Sequence, residues 1–186
     1  AAESMFEYGS RVGFWRLHRL FVERGIPLTV SGSALALERN PEAAAAIAEA
    51  DHEVMCHGWR WVNQFQLDEE TEREHIRKAV ASLERSVGHR PLGWYCRYGP
   101  SLATRRLLVE EGGFLYDSNS YADELPFWER VGETPHLVIP HTFANNDNKF
   151  ARGWFANADD FVTWMRDAFD VMYAEGGEHP RLMSVS

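Results

Sequence analysis

The stretch CHGWRW, Cys56 to Trp61, follows the short apolar-alternating segment HEVMC and puts an imidazole where a strand would run out into a loop. An imidazole in that position can take up a proton, polarise a carbonyl or ligate a metal. Three other stretches are similarly polar and aromatic: CRYGPS at 96–101, YDSNSYADELPFW at 116–128 and PHTFANNDNKF at 140–150. They add the guanidinium of Arg97, the phenol of Tyr98, the carboxylates of Asp117, Asp123 and Asp147, a second imidazole at His141, and the amides of Asn145 and Asn146. Such a set suits hydrolysis of an amide or ester. A general base activates water, a cation or N–H donors stabilise the oxyanion, and a carboxylate orients the histidine or the arginine. Each residue also has a plainer reading: His57 as a satisfied core histidine, Arg97 as a surface ion-pair partner, Asp117 as turn chemistry in DSNS. Gly58 argues for function at His57, because a core strand does not need a close backbone approach there.

The metal alternative can be weighed from spacing. Neighbouring strand residues point to opposite faces, so Cys56 and His57 do not share an ion. Four residues after His57 stands Trp61, which offers an N–H donor and no lone pair. His75 is expected to face solvent on an acidic helix, and His18 belongs to an amphipathic helix. A zinc site built from His57, His141 and an acid stays open, since ligands from separate loops leave no spacing signal.

The elements that would position these residues alternate along the chain. Ser10 is expected to cap a helix over RVGFWRLHRLFVERG with Phe14, Leu17, Leu20 and Phe21 on one stripe. Strands are expected at 27–31 and 52–56, with two short helices between them, the second opened by Asn40 and Pro41. LDEETEREHIRKAVASLERSVG is the clearest helix, capped by Asp68, with Ile76, Val80, Leu83 and Val87 at helical spacing. LGWYC, FLYDS, HLVIP and RLMSVS read as strands, SLATRRLLVEEGG and ADDFVTWMRDAFDVMYAEGG as helices, and GETP near Gly132 as a turn. Helices between strands signal βαβ units, so the fold class is α/β with a parallel sheet. Functional loops then leave the C-terminal strand ends and share one rim.

The 186 residues are expected to form a single domain, 1–186. With 19 basic against 28 acidic residues and a net charge of −9, no basic surface for nucleic acid is expected. No apolar run approaches a membrane span, and AAESMFEYGS lacks a basic region followed by an apolar one. Two cysteines without a CxxC pair favour a reducing, cytoplasmic setting. The first strong element is a helix with no strand before it, and RLMSVS ends without a loop after it. The expectation is a fragment of a longer protein.

The order strand-HGxxW, acid-capped helix, then RPLGWYCRYGPS, TRRLLVEEGGFLYDSNSY, DELPFW and PHLVIPHTFANNDNKF resembles the polysaccharide deacetylase superfamily, and within it the allantoinase-like branch linked to urate catabolism. The resemblance implies an incomplete (β/α) barrel that hydrolyses carbon–nitrogen bonds. It matches His57 to the first histidine of the HxxxH metal motif, puts Trp61 in place of the second, and matches Arg97 to the arginine that orients the catalytic carboxylate. In the allantoinase-like branch this tryptophan goes with activity that does not need the usual metal. The first-strand acidic motif and the histidine after the last strand fall outside the chain. The resemblance therefore implies an amidohydrolase without a cofactor, opening a cyclic ureide or imide such as allantoin. His57 and Arg97 would be catalytic, and Trp61, Tyr98, Asp117, His141, Asn146 and Asp147 would bind substrate. The alternatives are a zinc-dependent N-acetyl-sugar deacetylase with His57 as a ligand, and a catalytically silent binding domain. Family members often self-associate, so a homo-oligomer is expected. Ser31 stands where the family would put an aromatic, and a void there would cost roughly 2–4 kcal/mol.

Overall fold

The computed structural model describes residues 2–186; Ala1, the first residue of AAESMFEYGS, lies outside the described residues. Helix α1 (Ala2–Tyr8) leads through a π turn (Gly9–Gly13) into α2 (Phe14–Glu23). The helix therefore starts before Ser10, whose hydroxyl donates back to the Glu7 carbonyl at 3.1 Å instead of capping. Within α2 the expected stripe is also corrected. Leu17 and Leu20 are exposed, and Phe14 packs on the core. The face shared by Phe14, His18 and Phe21 follows i, i+4, i+7, from which Leu20 is rotated well away.

Strand β1 (Thr29–Gly32), helices α3 (Ala34–Glu38) and α4 (Pro41–Glu49), and strand β2 (Glu53–Cys56) come next, as expected from their caps and alternation. The Asn40 side chain accepts from Ala43 N–H at 3.3 Å. Helix α5 (Glu69–Val87) is opened by Asp68, which accepts from Thr71 N–H at 2.9 Å, and is closed by Gly88 at φ 90°. Its Ile76, Ala79, Leu83 and Val87 enter the core with Ile47, Val54, Trp94, Leu107 and Leu108. His75 is half-buried with an unpartnered Nδ1, not solvent-facing, because it sits one step from the buried Ile76.

Strand β3 (Gly93–Trp94), helix α6 (Thr104–Glu111) and strand β4 (Tyr116–Asp117) complete a parallel run β1-β2-β3-β4. Cys56 pairs with Trp94, and Trp94 with Asp117. Beyond β4 the sheet order continues β6-β5, with β5 (Phe127–Val131) and β6 (Thr134–Val138) joined at Gly132 and Glu133. A two-residue connection makes this pair antiparallel, and Gly132 takes φ 60° at the turn. DELPFW reads as loop in the sequence, but Phe127 and Trp128 begin β5. The exposed, charged run FWERV carries no buried alternation to betray the strand.

By compactness the chain, expected to be one domain, divides into two units: Ala1–Asp117 with Arg130–His136, and Ser118–Glu129 with Leu137–Ser186. The second unit carries α7 (Ala158–Glu175), whose start is a reciprocal capping box between Asn157 and Asp160. RLMSVS is not a strand. The segment is tied to 142–147 partly through hydroxyls, with Thr142 N–H on Ser184 Oγ at 2.7 Å and Ser184 N–H on Thr142 Oγ1 at 3.0 Å. Ladder bonds cannot form where side chains take the backbone donors. No helix among the described residues is long and apolar enough to cross a membrane.

A buried ion network crosses the first unit. Asp117, fully buried on β4, accepts from Arg105 Nε at 2.7 Å and Nη2 at 3.2 Å, and faces His136 Nε2 on β6 at 3.0 Å. Breaking such a pair from one side strands a charge in the interior. Asp117→Ala is expected to lower stability by about 3–5 kcal/mol, read from urea unfolding midpoints; a loss below about 1 kcal/mol would show that Arg105 finds water instead.

Candidate active site

Strand β2 ends at Cys56, whose thiol points into the core and is pushed up to about 12 by burial, so it is inert at neutral pH. His57 keeps the strand register for one more step, its N–H donating to Gly32 O at 2.9 Å. The chain then turns at Gly58, which has φ 88° and would drive a Cβ to 2.5 Å from Gln64 Nε2. Any other residue would be both strained and blocked there. The loop also docks on α3, through Ala34 N–H to Gly58 O at 3.0 Å and Leu35 N–H to Trp59 O at 3.1 Å.

This placement brings the imidazole beside the end of β3. His57 Nδ1 lies 2.7 Å from the carbonyl oxygen of Tyr95. A carbonyl only accepts, so Nδ1 carries the proton and Nε2 keeps its lone pair. Burial pushes the imidazole pKa below its ordinary value; the Tyr95 carbonyl opposes this, and the nearby positive charge of Arg97 adds to it. The result is a neutral base with a set tautomer. His57 lines a mostly apolar cavity of about 640 Å³ together with Phe14, Val30, Ser31, Trp59 and Trp61. Ser31 is exposed on β1 and opens onto this cavity, so it does not leave a core void.

Arg97 is held by aromatic faces. Its Cζ sits 4.0 Å from the Trp61 ring centre and 4.1 Å from that of Tyr98, and its Nη1 donates to Trp61 O at 3.0 Å. Tyr98 reaches this position only by adopting φ 60°, a conformation that costs a non-glycine residue about 1–3 kcal/mol. Trp61, Arg97 and Tyr98 thus form one stack. The resemblance assigns Arg97 to a carboxylate, but among the described residues it has no carboxylate partner. Asp117, expected in the substrate site, is instead consumed by Arg105 and His136, which hold both of its oxygens at a fully buried position.

Sequence reasoning misses Glu72, Arg105 and His136. Glu72 is fully buried and accepts from the hydroxyls of Ser101 and Thr104, each at 2.5 Å. Ser101 Oγ in turn accepts from the N–H groups of Ala103 and Thr104. These bonds fasten the loop that carries Arg97 and Tyr98 to α5. Glu72 is hidden among the acids that any helix N-terminus favours.

In the second unit, His141 Nε2 lies 3.1 Å from Ser186 Oγ, and Asn146 Nδ2 donates to the same oxygen at 2.9 Å. Burial also lowers the His141 pKa. Asp147 is exposed and meets Ser186 through its backbone N–H, at 2.7 Å from the carbonyl. No group of three or more His, Cys, Asp or Glu side chains gathers as a metal set among the described residues. His57 Nε2 has a lone pair for a zinc ion, but Trp61, four residues on, supplies none, so these two positions do not form a pair of zinc ligands.

The depressed His57 pKa has a definite sign. The unfolded chain takes up this proton first on acidification, so the associated stability is full above about pH 6.5 and is lost as pH falls through the folded value. A titration of the His57 ring resonances is expected to give a midpoint below 6.5 with Nδ1 protonated in the neutral form. A midpoint at or above that value, or an Nε2–H tautomer, would contradict the geometry.

Residues 2–116 match the polysaccharide deacetylase family. A Schizosaccharomyces pombe member is 39% identical over 98% of this chain and 62% of its own length. A Helicobacter pylori peptidoglycan deacetylase is 30% identical over 68% of this chain and 44% of its own. The crystal structure of PuuE allantoinase superposes with a TM-score of 0.94 at 46% identity, covering 100% of this chain and 62% of that one. The chain thus spans about 62% of the length of two of these relatives. The open parallel sheet matches the incomplete (β/α) barrel expected from the motifs. With its family motifs read in sequence and its strands superposed on those of solved relatives, the chain belongs to the polysaccharide deacetylase family.

Proposed function

We propose that the full-length protein is a hydrolase of carbon–nitrogen bonds that opens a cyclic ureide or imide such as allantoin. The observation that carries this reading is the pairing of a neutral His57, its Nε2 free, with a tryptophan stacked on Arg97 where a second histidine ligand would stand. Nε2 takes a proton from water as the oxygen adds to the ring carbonyl. The carbonyl electrons move to its oxygen, and Arg97 offers N–H donors to that charge. The tetrahedral species collapses, the ring C–N bond breaks, and the leaving nitrogen takes the proton from His57. The products are a carboxylic acid, which ionises by releasing its proton to solvent, and a free ureido or amide group. Trp61 and Tyr98 hold the guanidinium in place.

A second reading is a metal-dependent N-acetyl-sugar deacetylase. It is favoured by one feature, since a histidine whose Nδ1–H is held by a carbonyl is also the usual form of a metal ligand. The peptidoglycan deacetylase among the relatives points the same way. A silent binding domain is the third alternative.

Allantoin and a chitooligosaccharide, each supplied to the full-length protein with and without chelator, separate the three. Ring opening of allantoin that survives chelator, and that falls by about 10²-fold or more in His57→Ala, is the expected outcome. Deacetylation of the sugar alone, lost on chelation, would establish the second reading. No turnover of either would leave the binding domain.

A further inference from the structure

Asn145 is 1% exposed in the second unit, and its orientation is dictated by Trp164. The indole Nε1–H donates to Asn145 Oδ1 at 3.3 Å. An indole nitrogen can only donate, so the amide oxygen must face it and the NH2 group must face away. That NH2 group has no partner among the described residues. Buried donors are almost always satisfied, so an orphan beside open space points to something that fills the space.

The space is a cavity of about 700 Å³ belonging wholly to the second unit. Phe143 and Trp164 line it, and Phe143 is braced edge-to-face by Tyr121 at 5.3 Å. Asp167 lines it too, and its carboxylate has no hydrogen bond or ion pair among the described residues. Glu124 and Glu175, also on the wall, are engaged by Arg181 Nε at 3.3 and 2.9 Å. The cavity therefore offers flat apolar faces, one buried donor and one free acceptor. Its size suits a small molecule.

We infer that this cavity binds a small planar ligand through an amide edge, with the ligand carbonyl accepting from Asn145 Nδ2 and an adjacent ligand N–H donating to Asp167. The aromatic rings hold the plane of the ligand. Cyclic ureides and acetamido sugars both carry an amide group, but only the ring of the former fixes C=O and N–H side by side in one plane. The inference rests on the ureide reading for the choice of ring.

The test is calorimetric titration of the full chain with hydantoin and, separately, with N-acetylglucosamine, while the Trp164 indole N–H resonance is followed by NMR. Hydantoin is expected to bind saturably and to shift that resonance. Asn145→Asp keeps the acceptor facing Trp164 but removes the donor, and is expected to raise Kd by about tenfold or more. Asp167→Asn, at an exposed site where folding is not at stake, is expected to raise Kd severalfold. Absence of saturable hydantoin binding, or an unchanged Kd in both variants, overturns the inference. Binding of N-acetylglucosamine alone overturns the planar ligand and the ureide reading together. Asn145-dependent hydantoin binding without any ring opening supports the pocket while defeating the proposed hydrolysis. Ring opening with Kd unchanged in both variants does the reverse.

Discussion

One hydrogen bond, between His57 Nδ1 and the Tyr95 carbonyl at 2.7 Å, joins the ends of two parallel strands and sets the chemistry of the rim at the same time. It exists because the Cys56 to Trp94 pairing brings the residues just past each strand side by side. It assigns the proton to Nδ1, so the other nitrogen is available for reaction. Burial then keeps the ring neutral. Without the strand register, the same histidine would be a loop residue with no fixed tautomer.

Around that bond the first unit is organised to hold two short loops still. Gly58 turns the chain where no side chain fits. The buried Glu72 takes up the hydroxyls of Ser101 and Thr104, and so fastens the Arg97 loop to the longest helix. Arg97 is then locked between two rings, one of them on a residue in a left-handed conformation. Strain of this kind persists only where the surroundings hold it, and it gathers at functional sites. The cost is met by the core of Ile76, Leu83, Trp94 and Leu107 beneath it.

Asp117 illustrates how position outranks residue type. Its neighbours in DSNS suggest either a turn or a substrate ligand. On β4, beneath Arg105 and beside His136, it is instead the centre of a buried charge network linking a helix and two strands. A carboxylate with both oxygens held by fixed partners has little capacity left for a substrate. Asn145 illustrates the converse: an ordinary amide in NNDNK becomes informative once Trp164 dictates which way it faces.

Much of this protein is legible in its sequence alone. The helix caps at Asn40, Asp68 and Asn157, the spacing of Ile76, Leu83 and Val87, and the alternation of strand and helix come from local hydrogen bonding and from a 3.6-residue period. The motif residues His57, Trp61 and Arg97 identify the family for the same reason, since their order along the chain is itself the signal. The β5/β6 hairpin, the early start of the first helix and the absence of a final strand are not legible, because exposed or hydroxyl-bonded segments leave no periodic pattern. Nor are the tautomer of His57, the stacking of Arg97 or the fate of Asp117. Each depends on which atoms from distant segments come within about 3–4 Å, and only the packed tertiary structure decides that.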